Sequence, residues 1–258
     1  MIALAVPIGL ALGLALGTVG GGGAVLALPV LVYVLGQSVH AATTASLLVV
    51  AGAALAGAIG HARGGRMCWR IAGAFAGAAI PGSLLGTAAN AAVPATGLLA
   101  GFAVLMLVVA WVTRRRAAQA TGAEDAGCPL VRLVPIVGAG LVTGFLTGLL
   151  GVGGGFLVVP ILALVLHAPL RRAIATSLAI VSAVSLLGLV EHVALGSELD
   201  WAVALPFAAA AVGGALAGSG LAARLPQRTL ATGFAVVLGS VAIYLLVAVA
   251  AFGGPPHG

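Results

Sequence analysis

Gly17-Thr18-Val19-Gly20-Gly21-Gly22-Gly23-Ala24 interrupts an apolar run near the start of the chain, and Pro29 follows it. The interruption returns in the second half as Gly148-Leu149-Leu150-Gly151-Val152-Gly153-Gly154-Gly155, with Pro160 behind it. Each glycine inside a helix costs about 1 kcal/mol relative to alanine, so a cluster of them ends the helix. Both breaks lie in sequence apolar enough for a bilayer, where non-helical backbone survives only if protein buries it or it lines a wet cavity. Paired breaks at matching points of two halves point to a transporter binding site.

The composition fits that setting. Of 258 residues, 62% are hydrophobic and only 6% charged, and the mean hydropathy is +1.27. Soluble domains carry about a quarter charged residues, so this is a polytopic membrane chain. All eleven basic residues are Arg, against five acids. The Arg fall between apolar segments, which reads as orientation in the membrane rather than nucleic-acid binding. Met1-Ile2-Ala3-Leu4 offers no basic leader, and no cleaved signal peptide is expected. Cys68 and Cys128 are too few for a metal framework and read as incidental thiols.

Apolar stretches run Ile2–Thr18, Ala24–Leu35, Ala41–Ala62, Trp69–Ala92 and Ala95–Thr113, then Leu133–Leu150, Phe156–His167, Ala173–Leu195, Trp201–Ala223 and Leu230–Phe252. Three in each half reach the ~20 residues a spanning helix needs. The shorter pieces flank the glycine clusters, so each half opens with a broken or re-entrant element. The halves match further: Gly9, Gly13 and Gly17 with Gly140, Gly144 and Gly148, Ser46-Leu47 with Ser177-Leu178, and His61 with His192. One position out of step, Trp69 matches Trp201 and Gly101-Phe102-Ala103-Val104 matches Gly233-Phe234-Ala235-Val236. This is an internal duplication. It divides the chain into repeat 1 (residues 1–116), a cytoplasmic linker (117–131) and repeat 2 (132–258).

Charge sets the expected orientation. Arg63, Arg66 and Arg70 fill a loop whose counterpart carries Glu191, Glu198 and Asp200, while Arg171, Arg172, Arg224 and Arg228 stand where the first half is uncharged. If each half crosses an odd number of times, every Arg falls on one side and the second half is inverted. Both termini then lie outside. Ala24–Leu35 rises only ~18 Å as a helix, so the odd count makes the broken element a hairpin that enters and returns on one side. The expected fold is therefore an all-α integral membrane protein of two inverted repeats, with three full spans each and about eight to ten membrane elements in total.

The candidate site is Gly20, Gly22, Gly23 and Ser46 from the first half, with Gly151, Gly153, Gly154, Gly155, Thr176 and Ser177 from the second. A half-helix restarting after each cluster presents unpaired N–H groups at its positive end, and glycine lets a ligand come close. Amides around Gly20–Val25 and Gly151–Phe156 would hold a small anion without a buried cation. The plainer reading is that glycine permits close helix packing, which suits the Gly9/Gly13/Gly17 and Gly140/Gly144/Gly148 ladders better. Thr43, Thr44, Ser46, Thr176 and Ser177 either donate to an oxyanion or bond back to their own helix. His61 and His192 read as interfacial rather than as proton relays, and His40 and His167 as loop residues. Arg171-Arg172 either serve orientation alone or draw anions to the inner mouth. No acid lies within a span, so a carboxylate coupling site is not visible. A chain without Lys has no Walker lysine, and Gly218-Ser219-Gly220 reads as packing. No catalytic residue, metal or cofactor is expected.

Gly151 to Pro160, together with Ala173-Ile174-Ala175-Thr176-Ser177-Leu178, resembles the sulfite exporter TauE/SafE family of membrane permeases. The first half departs from the motif at Ala24 and Ala45. The resemblance implies a multi-pass permease of the bacterial inner membrane for sulfite, an organosulfonate or a related sulfur-containing anion. Its partners would be that anion and the lipid bilayer, without nucleic acid, and a homo-oligomer is left open. A passive channel on the same fold and a non-transporting membrane partner or assembly protein are the alternatives.

Overall fold

The computed structural model describes residues 2–21, 24, 27, 30–31, 35, 37, 39–65, 67–90, 101, 103–111, 114–115, 127–129, 132–150, 155–194 and 201–252. Among them there are helices and no strand. In chain order the helices are α1 (Ile2–Val19), α2 (Val39–Ala62), α3 (Trp69–Asn90), α4 (Leu133–Leu150), α5 (Gly155–Leu164), α6 (Leu170–Ala194), α7 (Trp201–Arg224) and α8 (Gln227–Phe252). Residues 101, 103–111 and 114–115 are also helical. Leu, Ala and Val sit on all sides of these helices, as burial in lipid and protein together requires. Three of them (α2, α6 and α7) contain stretches long and apolar enough to cross a membrane. His40 lies inside α2 and Glu191 in the last turn of α6, so neither is a loop residue. His167 does sit in the turn after α5, at φ 52°.

Glycine contacts fix how the helices pair. A Cβ on Gly9 of α1 would lie 2.7 Å from the carbonyl oxygen of Phe207 in α7, and Cβ atoms on Gly13 and Gly17 would strike the Ala211 and Ala215 carbonyls. From the other side, Gly214 and Gly218 of α7 face the Leu10 and Leu14 carbonyls. Numbers rise together, so α1 and α7 run parallel at backbone contact. The same arrangement joins α4 to α3: Gly140 and Gly144 face Phe75 and Ala79, and Gly82 and Gly86 face Leu141 and Phe145. Small residues at every fourth position let backbones approach in this way. Phe75 and Phe207, the large side chains at these contacts, are fully buried.

Between these pairs lies a central crossing. Gly57 of α2 meets Leu178 of α6, and Gly188 of α6 meets Leu47 of α2. Midway, Ser182 Oγ donates to the Ala51 carbonyl at 3.3 Å. Here numbers run in opposite senses, so α2 and α6 are antiparallel. Gly52 and Gly60 of α2 face Val212 and Ser219 of α7, which makes that pair parallel.

The short elements close alike. Leu35 N–H donates to Val30 O and Gln37 N–H to Leu31 O, while Leu166 N–H donates to Ile161 O and Ala168 N–H to Leu162 O. The two pairs of bonds occupy matching positions of the two halves. Such bonds satisfy carbonyls that a helix end leaves open.

One end of the bundle gathers basic residues. Arg172 Nη1 donates to Gly65 O (3.3 Å) in the loop between α2 and α3, and Arg171 Nη2 donates to Leu225 O (3.0 Å) between α7 and α8. Cys128 of the linker joins them through a disulfide to Cys68, with an S–S distance of 2.02 Å. The two cysteines are thus a covalent tie, not incidental thiols. They are separated by 60 residues, and neither belongs to a spacing motif that would have announced the pairing. Along the helices, Leu84, Leu85, Val190, Val236 and Val247 are exposed apolar side chains suited to lipid.

Candidate substrate site at two glycine turns

α1 stops where the glycines begin. Gly20 N–H still donates to Leu16 O at 2.8 Å, but Gly20 takes φ +80°, a left-handed conformation that side chains rarely adopt. A Cβ there would lie 2.9 Å from Ser177 Oγ and 3.0 Å from Val159 Cγ2. The first turn is therefore seated against α5 and α6. The next residue meets the last glycine of the second stretch, where α5 begins. A Cβ on Gly21 would strike the Gly155 carbonyl, and one on Gly155 would lie 2.8 Å from Gly21 O and 3.0 Å from Val181 Cγ2. Two glycine stretches from opposite halves of the sequence thus touch backbone to backbone, and Val181 beside them adjoins the Ala51–Ser182 crossing. At about 1.5 Å rise per residue, Ser177 lies ~7.5 Å along α6 from Ser182.

Three of the expected site residues, Gly20, Gly155 and Ser177, are brought together here. Thr176 is buried, but its Oγ1 accepts the Cys68 N–H at 3.2 Å, so its oxygen faces the basic end. Ser177 is fully buried and donates its proton to Ile174 O at 2.8 Å, bonding back to its own helix. Ser46 is half-buried on α2, next to Leu47 and on the far side of the crossing from Ser177. Gly22, Gly23, Gly151, Gly153 and Gly154 lie outside the described residues. Thr44 is buried on α2, and Thr18 donates to Leu14 O at 2.8 Å in the last turn of α1.

The described side chains nearest this contact are uncharged. The neighbours of Gly20, Gly21 and Gly155 are Ser177, Val159, Ile174 and Val181. No group of His, Cys, Asp or Glu able to hold a metal occurs among the described residues. The first residue of α5, Gly155, lies at this contact, and a helix start is the positive end of its dipole.

His61 lies in the last turn of α2. Its side chain is 3% exposed, and Nε2 lies 3.2 Å from Gly17 O in the last turn of α1. It anchors the end of α2 to the lip of the first turn. The side chain of His192 lies outside the described residues. Ser182 is a residue that motif reading passes over, although it stands 131 positions after Ala51, the same offset that separates the two glycine stretches.

Three helices long and apolar enough to cross a membrane mark an integral membrane protein. The chain belongs to the sulfite exporter TauE/SafE family, whose model matches residues 5–245. This is a family of membrane permeases, not of enzymes. A "Probable membrane transporter protein" of Xylella fastidiosa (strain 9a5c) is 34% identical over 237 residues, covering 91% of this chain and 90% of its own length. "Probable membrane transporter protein YunE" of Bacillus subtilis (strain 168) is 27% identical over 252 residues, covering 88% of this chain and 92% of its own. No solved structure matches the chain.

Proposed function

We propose that this protein moves a small sulfur-containing anion, such as sulfite or an organosulfonate, by alternating access around the two glycine turns. The observation that carries the reading is the backbone contact of Gly21 with Gly155 beside Ser177, close to the crossing of α2 and α6. An anion between the turns meets N–H groups whose dipoles balance its charge, and no buried cation is left unpaired when it departs. Gly20, Gly22, Gly23 and Ser46 would contribute from the first half of the sequence, and Gly151, Gly153, Gly154, Gly155, Thr176 and Ser177 from the second.

The transporter consists of two inverted repeats, residues 1–116 and 132–258, joined by a linker at 117–131. The matched contacts support this. Gly9 and Gly13 of α1 meet Phe207 and Ala211 of α7, and their counterparts Gly140 and Gly144 of α4 meet Phe75 and Ala79 of α3. Antiparallel packing of α2 and α6, equivalent in sequence, supports the inversion. The basic end and the linker face the cytoplasm of a bacterial inner membrane by the positive-inside rule. Trp69 and Trp201, exposed at the first positions of α3 and α7, suit aromatic anchors at opposite interfaces. Rocking one half against the other around the turns would open them to each side in turn.

The test is uptake and efflux of sulfite, sulfate, thiosulfate and an organosulfonate in cells with and without the protein. Movement of a sulfur anion is expected, and no response to any of the four would remove this substrate class.

A further inference from the structure

The disulfide at the basic end has two unlike sulfurs. Cys68 is 4% exposed, while Cys128 is exposed. Cys68 directly precedes α3, and its carbonyl accepts the Ala72 N–H at 2.9 Å, which makes it the N-cap of that helix. A thiolate released there is stabilised by the helix N-terminus. Cys128 Sγ lies 3.7 Å from Arg172 Nη1, whose charge is held in place by Gly65 O at 3.3 Å. The exposed sulfur is therefore the one an outside nucleophile reaches, with a fixed cation beside it to draw an anion, while the buried sulfur departs at a helix N-terminus.

We propose that Cys68–Cys128 is a reactive disulfide, opened at Cys128 by an anionic sulfur nucleophile, either a thiolate or sulfite. The nucleophile's sulfur forms a bond to Cys128 Sγ as the Cys68–Cys128 bond breaks, and the electron pair of that bond leaves with Cys68 as thiolate. With a thiolate the product is a mixed disulfide at Cys128. A second thiolate attacks it, giving two protein thiols and one small disulfide, so two electrons come from two thiols. With sulfite the product is an S-sulfonate on Cys128 and a thiol at Cys68, and the sulfite sulfur supplies both electrons. The thiolate route stands independently of the transport reading. The sulfite route extends it, because the transported anion would then also be the reagent. At a cytosolic face, thiols are the ambient reagent, so the pair cycles between a closed staple and a dithiol. The staple ties the loop between α2 and α3 to the linker, and Cys68 N–H in turn holds Thr176, the neighbour of Ser177 in the site.

The experiment uses the purified full chain in lipid nanodiscs, oxidised with diamide, then treated with sulfite or with glutathione. New thiols are alkylated after denaturation and located by peptide mass. Sulfite should leave an S-sulfonate on Cys128 and an alkylated Cys68, and glutathione a transient mixed disulfide on Cys128. Arg172→Gln should slow both reactions about fivefold, the scale of a partly exposed charge contact, and leave reduction by a neutral phosphine unchanged. Arg172→Lys should keep most of the rate. Rising salt should slow the sulfite reaction of the unaltered protein, which tests the charge even if Arg172→Gln does not fold. Adducts on Cys68, failure of diamide to form the disulfide, reaction only in denaturant, or a sulfite rate indifferent to salt would each overturn the proposal. Because the readout is covalent chemistry on purified protein, its failure is separable from failure of transport.

Discussion

Gly155→Ala is the substitution that bears hardest on the contact between the turns. The added methyl would lie 2.8 Å from Gly21 O, 3.0 Å from Val181 Cγ2 and 3.2 Å from Gly21 Cα. Ordinary contact begins at 3.4 Å, so the turns must part by about 0.6 Å. Two of the three opposing atoms are backbone, which cannot swing aside as a side chain does. Overpacking of this kind costs about 1–3 kcal/mol, and alanine recovers up to ~1 kcal/mol through helix propensity. The net effect on folding is therefore about 0–3 kcal/mol, which a stable protein tolerates. Displacing the N–H groups at the start of α5 from a bound anion should slow transport at least tenfold, equivalent to about 1.4 kcal/mol. The assay is anion flux in proteoliposomes beside thermal unfolding in detergent, with Gly138→Ala as control, since nothing lies within 4 Å of a Cβ there. Normal flux from a folded Gly155→Ala protein would refute the placement of substrate between the turns.

Gly13→Ala and Gly144→Ala should destabilise by similar amounts, about 1–3 kcal/mol by overpacking, because each Cβ strikes a carbonyl of the partner helix, Ala211 or Ala79. Chemical denaturation in mild detergent checks this, and a neutral effect at both sites would deny the close packing. His61→Leu should lower stability by about 1–3 kcal/mol through loss of the bond to Gly17 O, with His61→Gln recovering part of it, read by the same denaturation. Gly64→Cys and Val193→Cys, each in a background of Cys68→Ser and Cys128→Ser, should label from opposite faces of the membrane, since α6 begins at the basic end where the loop containing Gly64 lies. Same-side labelling would defeat the proposed orientation.

Much of the helix content is legible in the sequence, because apolar length and glycine breaks act locally. The apolar stretch Leu133–Leu150 is α4 without change, and Trp69–Ala92 runs only slightly past the end of α3 at Asn90. Gly9, Gly13, Gly140 and Gly144 pack against helices as their spacing suggests, but spacing does not say against which. Their partners lie far along the chain, and the pattern within one helix carries no trace of the helix it meets. The disulfide is invisible for the same reason. For His61 a helix-terminal position suggests the interface, whereas the end of α1 stops level with it and covers it. The matching of the two halves of the sequence draws attention to the glycine stretches, and Gly20, Gly21 and Gly155 of these come together in the structure. Which way the hydroxyls of Thr176 and Ser177 point depends on rotamers and neighbours that the sequence does not encode locally.

The pairing of α1 with α7 has a consequence for biosynthesis. Gly13 and Ala211 are about 200 residues apart, and synthesis proceeds at about 5–20 residues per second. The glycine-lined face of α1 therefore waits about 10–40 s for the helix it is cut to fit. During that interval the early helices must be accommodated by lipid or by the insertion machinery. A nascent chain stopped before Trp201 would retain α3 and α4 as a finished pair and leave α1 without α7. Assembly is thus ordered from the middle of the sequence outward, and the first helix made is among the last to find its place.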